Sequence, residues 1–404
     1  MNTQPYQTPP KWWAPKLTPW WIGVSRQIRN RELRKQRFVN VEVRGVEHVR
    51  GALDRGAGVL ITPNHSFHYD SYCLMRASDA LRRPFFIMTA WQVFAMSGRF
   101  DRWSMQHAGC FSVNREATDL RAFRQATDIL THGPYPLVVF AEGDVFHTND
   151  RVTPFREGAA AMALSAARKG SREVVCVPTA IKQWYVTDPL PSVRATVAAL
   201  EARLLIRSPP DKQLVDRVYR IGEAVLALLE IEHLGAPQTG SVRQRREALV
   251  AALLDRLEGA QDVSRGEGDV PERVKLLRRK LIDARQNAAA AEDGPAQRSA
   301  TAAMDDVQLV MRLYSYPNDY VRTQPSAERL AETIDKFEED ILEAELPSVR
   351  GDRRVVVEFG EPITAASDRS SRVSPAELTG KLHDSVQALL DRMNTQSPSP
   401  HVSA

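Results

Sequence analysis

The sequence predicts an α/β protein in which a mostly parallel central sheet is covered by helices and interrupted by an inserted all-helical subdomain. Three observations carry this expectation. Between about residues 41 and 185, short and continuously apolar runs alternate with helical stretches, the pattern of strands buried on both faces. From about 190 to 345 the apolar residues recur at helical spacing instead. Strand character then returns in Arg354-Val-Val-Val-Glu-Phe359. A late strand of this kind completes a sheet begun earlier, which makes the helical stretch an insertion.

The elements follow in order. Residues 1–40 read as a basic, Trp-rich arm: eight Lys and Arg face a single acid, Glu32, between positions 11 and 37, a local +7 against +4 for the whole chain. Prolines at 9, 10, 15 and 19 block helix at first, after which Ile22 to Phe38 can form a basic helix. Residues 41–190 with 353–393 form the expected α/β domain. Its buried strands are Gly58–Thr62, Pro84–Met88, Pro136–Phe140 and Val174–Pro178, with helices over Asp119–Thr131 and Gly158–Lys169. Residues 191–352 are the helical insertion. There Ser241 and Gln244 make a capping box ahead of Leu249, Leu253, Leu254 and Leu257, with Gly259 as the stop, and Pro271 opens the next helix. Ala288–Ser299 reads as a loop or frayed helix end, a terminal helix spans Pro375–Met393, and residues 394–404 read as a disordered tail.

Composition excludes several classes. The three cysteines, Cys73, Cys110 and Cys176, are odd in number and widely spaced, so neither a disulfide framework nor a zinc ribbon is expected. The N-terminus lacks the apolar core of a secretory signal, and no run approaches the ~18 apolar residues of a spanning helix. The expectation is a soluble or peripherally attached protein on the cytoplasmic side. A net charge of +4 is too small to imply nucleic-acid binding, and none is expected.

Four constellations carry chemistry. In Thr62-Pro-Asn-His65-Ser-Phe-His68-Tyr-Asp70, a loop follows a strand end, where α/β sheets bind ligands. His65 suits proton transfer near neutral pH, and a bent entry into the next helix would let Asp70 hold one imidazole tautomer. A structural histidine, or a metal held by His65, His68 and Asp70, is the rival reading. Gly109-Cys-Phe-Ser-Val-Asn-Arg115 ends in a cation able to grip a phosphate or, less specifically, to pair with Glu116. Phe140-Ala-Glu142-Gly143-Asp144 again follows a strand. Glu142 there could meet an acceptor hydroxyl, orient Arg115 or simply cap a helix. Val177-Pro178-Thr-Ala-Ile181 could line an apolar tunnel or be plain core strand.

In this order and spacing the four blocks resemble the glycerolipid acyltransferase family, whose blocks run Asn-His-x-x-x-x-Asp, Gly-x-x-Phe-x-x-Arg, Phe-Pro-Glu-Gly-Thr-Arg and Val-Pro-x-x-Ile. The resemblance covers about 40–185 and 353–390. It implies catalytic roles for His65 and Asp70 and substrate-binding roles for Asn64, Gly109, Arg115, Glu142, Gly143 and Pro178, with no metal or cofactor. It implies transfer of a fatty acyl group from acyl-CoA or acyl-carrier protein to a lysophospholipid hydroxyl in phospholipid biosynthesis, with 1-acylglycerol-3-phosphate as the leading acceptor.

Two blocks depart from the pattern. Phe111 sits one position early, and the third block carries Ala141, Asp144 and Val145 where the family has Pro, Thr and Arg. The lost cation and added acid leave a less anionic or amine-bearing acceptor, or a non-catalytic lipid-binding scaffold, as alternatives. Arg151 or Arg156 could supply the missing charge. A lipid acceptor implies an anionic membrane partner, met through Trp12, Trp13, Trp20, Trp21 and the neighbouring basic residues, on the inner face of a membrane.

Overall fold

The computed structural model of the chain describes residues 10–116, 118–170, 172–209, 211–263, 268–365 and 373–396. Its strands are β1 (Phe38–Arg44), β2 (Gly58–Pro63), β3 (Phe86–Ala90), β4 (Cys110–Val113), β5 (Leu137–Val138), β6 (Val174–Tyr185), β7 (Arg353–Phe359) and β8 (Ile363–Thr364). They form one eight-stranded sheet in the order β1-β7-β6-β2-β5-β3-β4, with β8 also on β6. Strands β2 to β6 run parallel, β7 returns antiparallel to β6, and β1 lies parallel to β7. The expected α/β sheet is therefore present, and the strand after the helical stretch does complete it.

The helices of the α/β part are α1 (Pro19–Lys35), α2 (Val46–Asp54), α3 (Asp70–Leu81), α4 (Trp91–Met96), α5 (Arg99–His107), α6 (Leu120–His132) and α7 (Gly158–Lys169). The insertion supplies α8 (Leu190–Arg203), α9 (Leu214–Leu234), α10 (Val242–Ala260), α11 (Val270–Ala290), α12 (Gly294–Ser315), α13 (Tyr320–Thr323) and α14 (Ala327–Ile341), and α15 (Pro375–Gln396) closes the chain. The strands alternate between two cores. Val59 and Ile61 pack with α1, α2 and α3, while Leu60 packs with α6, α7 and α15.

Several boundaries differ from the sequence reading for identifiable reasons. β6 runs twelve residues and passes through Pro178. The proline is tolerated because β8 pairs at Val175 and Cys176, β7 begins pairing at Thr179, and the missing N–H falls in the gap between them. β5 keeps only two residues, since the chain turns at Phe140, whose carbonyl accepts from Gly143 N–H at 3.1 Å. α10 has its capping box but runs past Gly259 to Ala260. Only residues 291–293 separate α11 from α12, so Ala288–Ser299 is mostly helix, with Asp293 capping α12 through Ala296 N–H. Asn394–Gln396 continue α15, and the rest of the expected tail, 397–404, lies outside the described residues.

The insertion has two apolar cores of its own. Leu253, Leu257, Leu277, Leu281 and Val307 represent the distal one, built from α9 to α12. Val197, Leu200, Ile221, Leu330 and Ile334 represent the one that brings α8, α9 and α14 together beside the sheet.

Residues 11–18 lie along the exposed edge of the sheet. Ser112 N–H of β4 donates to Trp13 O at 3.0 Å, Trp13 N–H donates to Ser112 Oγ at 2.8 Å, and Thr18 N–H donates to His107 O at 2.9 Å. This covers an edge strand that would otherwise offer unpaired main chain. α1, about 25 Å long, then carries the chain across the sheet to β1 at its other edge.

Candidate active site

β2 delivers the chain at the centre of the sheet, and the loop from Asn64 to Tyr69 turns into α3. Asp70, the first residue of α3, is buried, and its Oδ2 lies 3.0 Å from His65 Nδ1 and 2.8 Å from Phe67 N–H. The expected bent entry thus brings the two side chains together. In the tautomer where Nδ1 donates to Asp70, Nε2 is left as the free base. The imidazole packs on the Phe140 ring at 4.2 Å, and its side chain is 19% exposed against 4% for Asp70, so the histidine is the partner a substrate can reach.

Glu142 lies beneath this loop. Its Oε1 accepts from His65 N–H at 2.5 Å, and its Oε2 accepts from Thr153 N–H at 3.0 Å and from the Thr153 hydroxyl. Burial raises its carboxyl above the ordinary value, against those hydrogen bonds. Glu142 therefore neither caps a helix nor meets Arg115. It holds the main chain of His65 in place, and Thr153 is a supporting residue the sequence reading missed.

Arg115 instead donates to Gly143 O and lies 3.8 Å from Asp144 Oδ1. Gly143 has φ +79°, and a Cβ there would sit 2.6 Å from Arg156 Nε, so only glycine allows the Arg156 guanidinium to lie over this turn. Arg278, on α11 of the insertion, pairs with buried Glu116 at 3.5 Å. Burial alone would raise the Asp144 carboxyl, but Arg115, then Arg278 and, more weakly, Arg156 hold it below its ordinary value. Three guanidinium groups thus surround two acids at the end of the motif loops. Arg156 had been a candidate replacement for the missing cation; Arg278 comes from a helix with no sequence signal linking it to the site.

Other motif residues do structural work. Asn64 Nδ2 donates to Ile181 O at 3.0 Å, and its Oδ1 accepts from Ile181 N–H at 2.7 Å. Asn149 repeats this at Gln183, and Glu328 of α14 accepts from Tyr185 N–H at 3.1 Å. β2 leaves the sheet after Pro63, and these three side chains satisfy the β6 edge it vacates. Gly109, with φ +95°, enters β4 where a Cβ would lie 2.3 Å from Phe85 O. Pro178 is a buried β6 residue opposite Thr62.

His68 does not join His65 and Asp70. Its Nε2 lies 2.8 Å from Glu339 Oε1 on α14, near His147. All three cysteines are free thiols. Burial pushes Cys110 up to about 11, Cys176 up to about 12 and Cys73 higher still, so none is poised as a nucleophile.

The four early tryptophans separate. Trp12 packs on the core with Arg121 over its ring, Trp13 stacks on Phe94 at 5.2 Å, and Trp21 is buried against Trp103. Trp20 is 62% exposed. No helix among the described residues is long and apolar enough to cross a membrane.

Residues 40–182 match the family model described as Acyltransferase, a span that contains His65, Asp70, Arg115, Glu142, Gly143 and Pro178 and stops before the insertion. No curated protein matches the chain.

Proposed function

The chain carries a domain of the glycerolipid acyltransferase family, and from that premise we propose that it transfers a fatty acyl group from acyl-CoA or acyl-carrier protein to the hydroxyl of a phosphorylated lysolipid, 1-acylglycerol-3-phosphate being the leading acceptor. The observation that carries this reading is the His65–Asp70 pair, 3.0 Å apart at the carboxyl end of β2. His65 Nε2 takes the acceptor hydroxyl proton as its oxygen attacks the thioester carbonyl. The C–S bond then breaks, and the thiolate leaves with that proton. Asp70 steadies the imidazolium in between, and such base catalysis contributes ~10²–10⁴-fold. Arg115, Arg156 and Arg278 outnumber Asp144 and Glu116 by one positive charge, which suits a phosphate monoester better than an amine.

Thiol release with both donors over lysophosphatidate, glycerol-3-phosphate and an amine-bearing lysolipid tests the reading. Lysophosphatidate should be preferred. His65→Ala should lose at least about 100-fold in kcat with an unchanged melting temperature, and Arg278→Ala should raise the lysophosphatidate KM. Preference for the amine-bearing acceptor would reverse the assignment of headgroup, and wild-type rates in His65→Ala would dismiss the mechanism.

The proposal includes peripheral attachment to the inner face of an anionic membrane, through a surface narrower than the four tryptophans. Trp20, Val24 and Ile28 form an exposed stripe on α1, and Met96 of α4 and Phe100 of α5 are also exposed. Trp21 meets Phe100 edge-on at 6.1 Å, tying α1 to α5. Exposed Arg31, Arg34 and Lys35 extend the stripe with charge, each such group adding roughly 1 kcal/mol at an anionic surface. The double variant Trp20→Ala, Phe100→Ala should lose co-sedimentation with anionic vesicles; undiminished binding would remove this surface from the proposal.

A further inference from the structure

We propose that His68, His147 and Glu339 form a binding site for one divalent cation of the zinc class, which fastens the helical insertion to the loops that carry His65 and Glu142. The three side chains come from three separate parts of the chain. His68 lies on the loop between β2 and α3, His147 on the loop between β5 and α7, and Glu339 on α14. Their ligand atoms all lie within 4.8 Å of one another. Two imidazoles and a carboxylate are the donor types that bind zinc with one position left for water.

The spacing suits a tetrahedral ion. His68 Nε2 and His147 Nε2 lie 2.8 and 3.3 Å from the same oxygen, Glu339 Oε1. Zinc bonds of about 2.0–2.2 Å at tetrahedral angles hold neighbouring donor atoms about 3.3–3.5 Å apart. A cation entering among the three atoms needs only small adjustments of the side chains. The rings stand edge to face, 71° apart with centroids at 5.3 Å, so they converge on the carboxylate rather than stack.

A second observation points the same way. The His147 side chain is 3% exposed, and its Nε2, though near Glu339, makes no hydrogen bond. Without an ion, two imidazoles compete for one carboxylate oxygen and His68 wins, leaving a buried nitrogen unsatisfied. A metal satisfies both lone pairs at once. His147 is also held at φ +51°, an uncommon conformation for a residue with a side chain, which its surroundings must enforce. The fourth position opens on the side of His68, whose side chain is 25% exposed, and that side is the entry path.

The coupling to the catalytic loop is short. His68 follows His65 by three residues, and Phe146, the neighbour of His147, donates its N–H to His65 O at 3.4 Å. An ion held here fixes both loops to α14 without touching the reacting atoms.

The test uses the tag-free, full-length protein, stripped by a chelator and dialysed. Calorimetric titration with Zn²⁺ should show one equivalent bound per chain, and Co²⁺ in its place should give the intense visible bands of four-coordinate cobalt. Zn²⁺ should also raise the melting temperature. His68→Ala, at the solvent side of the site, should keep the fold by circular dichroism and weaken Zn²⁺ binding at least about tenfold. Glu339→Gln should do the same, while His65→Ala should bind Zn²⁺ normally. No stoichiometric uptake by the wild type, or unchanged affinity in folded His68→Ala, would overturn the proposal.

Discussion

Helices α7 and α14 both pack on β6, and they hold it by opposite means. α7 buries Ala159, Ala160, Ala163, Ala166 and Ala167 with Met162 and Leu164, and no charged residue. α14 buries Leu330, Ile334 and Phe337 on one side and Glu328, Arg329, Glu332, Asp335, Lys336, Glu338 and Glu339 as well. Several of those charges are paired across the seam. Arg329 meets Asp150 at 2.8 Å, Lys182 pairs with the same Asp150, and Arg350 holds Asp335 at 2.7 Å and Glu338 at 2.5 Å. Apolar contact has no preferred direction, whereas each ion pair and hydrogen bond fixes one. The difference teaches that the sheet draws its stability from α7, while α14 contributes position. It sets where the insertion sits against the loop from Glu142 to Thr153.

Substitutions on the two sides should separate these contributions. Leu164→Ala, in the dry core, should cost most, about 2–5 kcal/mol in denaturant unfolding. A loss under about 1 kcal/mol would break the contrast. Glu332→Ala strands Asn149 N–H and Tyr320 OH, which donate to its Oε2 at 3.0 and 2.9 Å, and should cost about 1–3 kcal/mol. Glu332→Gln keeps an acceptor there and should cost less than either.

The glutamine variant also has a signature in pH. Burial pushes the Glu332 carboxyl up from 4.5 to about 7. A carboxyl raised in the folded state binds more protons there than in the unfolded chain. Its contribution is complete below about 4.5 and is lost as pH rises through about 7. Wild-type stability should therefore carry a falling component between those values that Glu332→Gln lacks. Parallel profiles of melting temperature against pH would show that Glu332 is not raised.

The same contrast explains what was legible in the sequence. α7 could be read residue for residue from Gly158 to Lys169, because small apolar residues at helical spacing have one interpretation. The His65–Asp70 contact was legible because five residues across a helix entry leave few geometries. The apolar stripe of α14, Leu330, Ile334, Phe337 and Ile341, was legible too. Its charged side was not, since a charged helix face is ordinarily solvated, and only the fold turns Glu332 and Glu339 inward. The supporting contacts of Asn64 and Glu142 were not legible for a related reason. Polar residues in a motif suggest ligand contacts, yet Asn64 replaces a missing strand and Glu142 holds a main-chain amide. Arg278 lay beyond reach because its helix meets the site only in three dimensions.

The position of β1 has a consequence for synthesis of the chain. Among the described residues β1 pairs only with β7, and Arg37 beside it pairs with Asp352, 315 residues later. At ~5–20 residues per second, the ribosome needs about 15–60 s to make that intervening length. Throughout that time the first strand has no neighbour, while β2 to β6 and then the insertion emerge. The basic residues around it repel like copies, and α1 and α3 can shelter its apolar side chains, both of which guard against premature pairing between nascent chains. Native assembly of this protein is therefore expected to finish at its beginning, when β7 slots between β6 and the waiting β1.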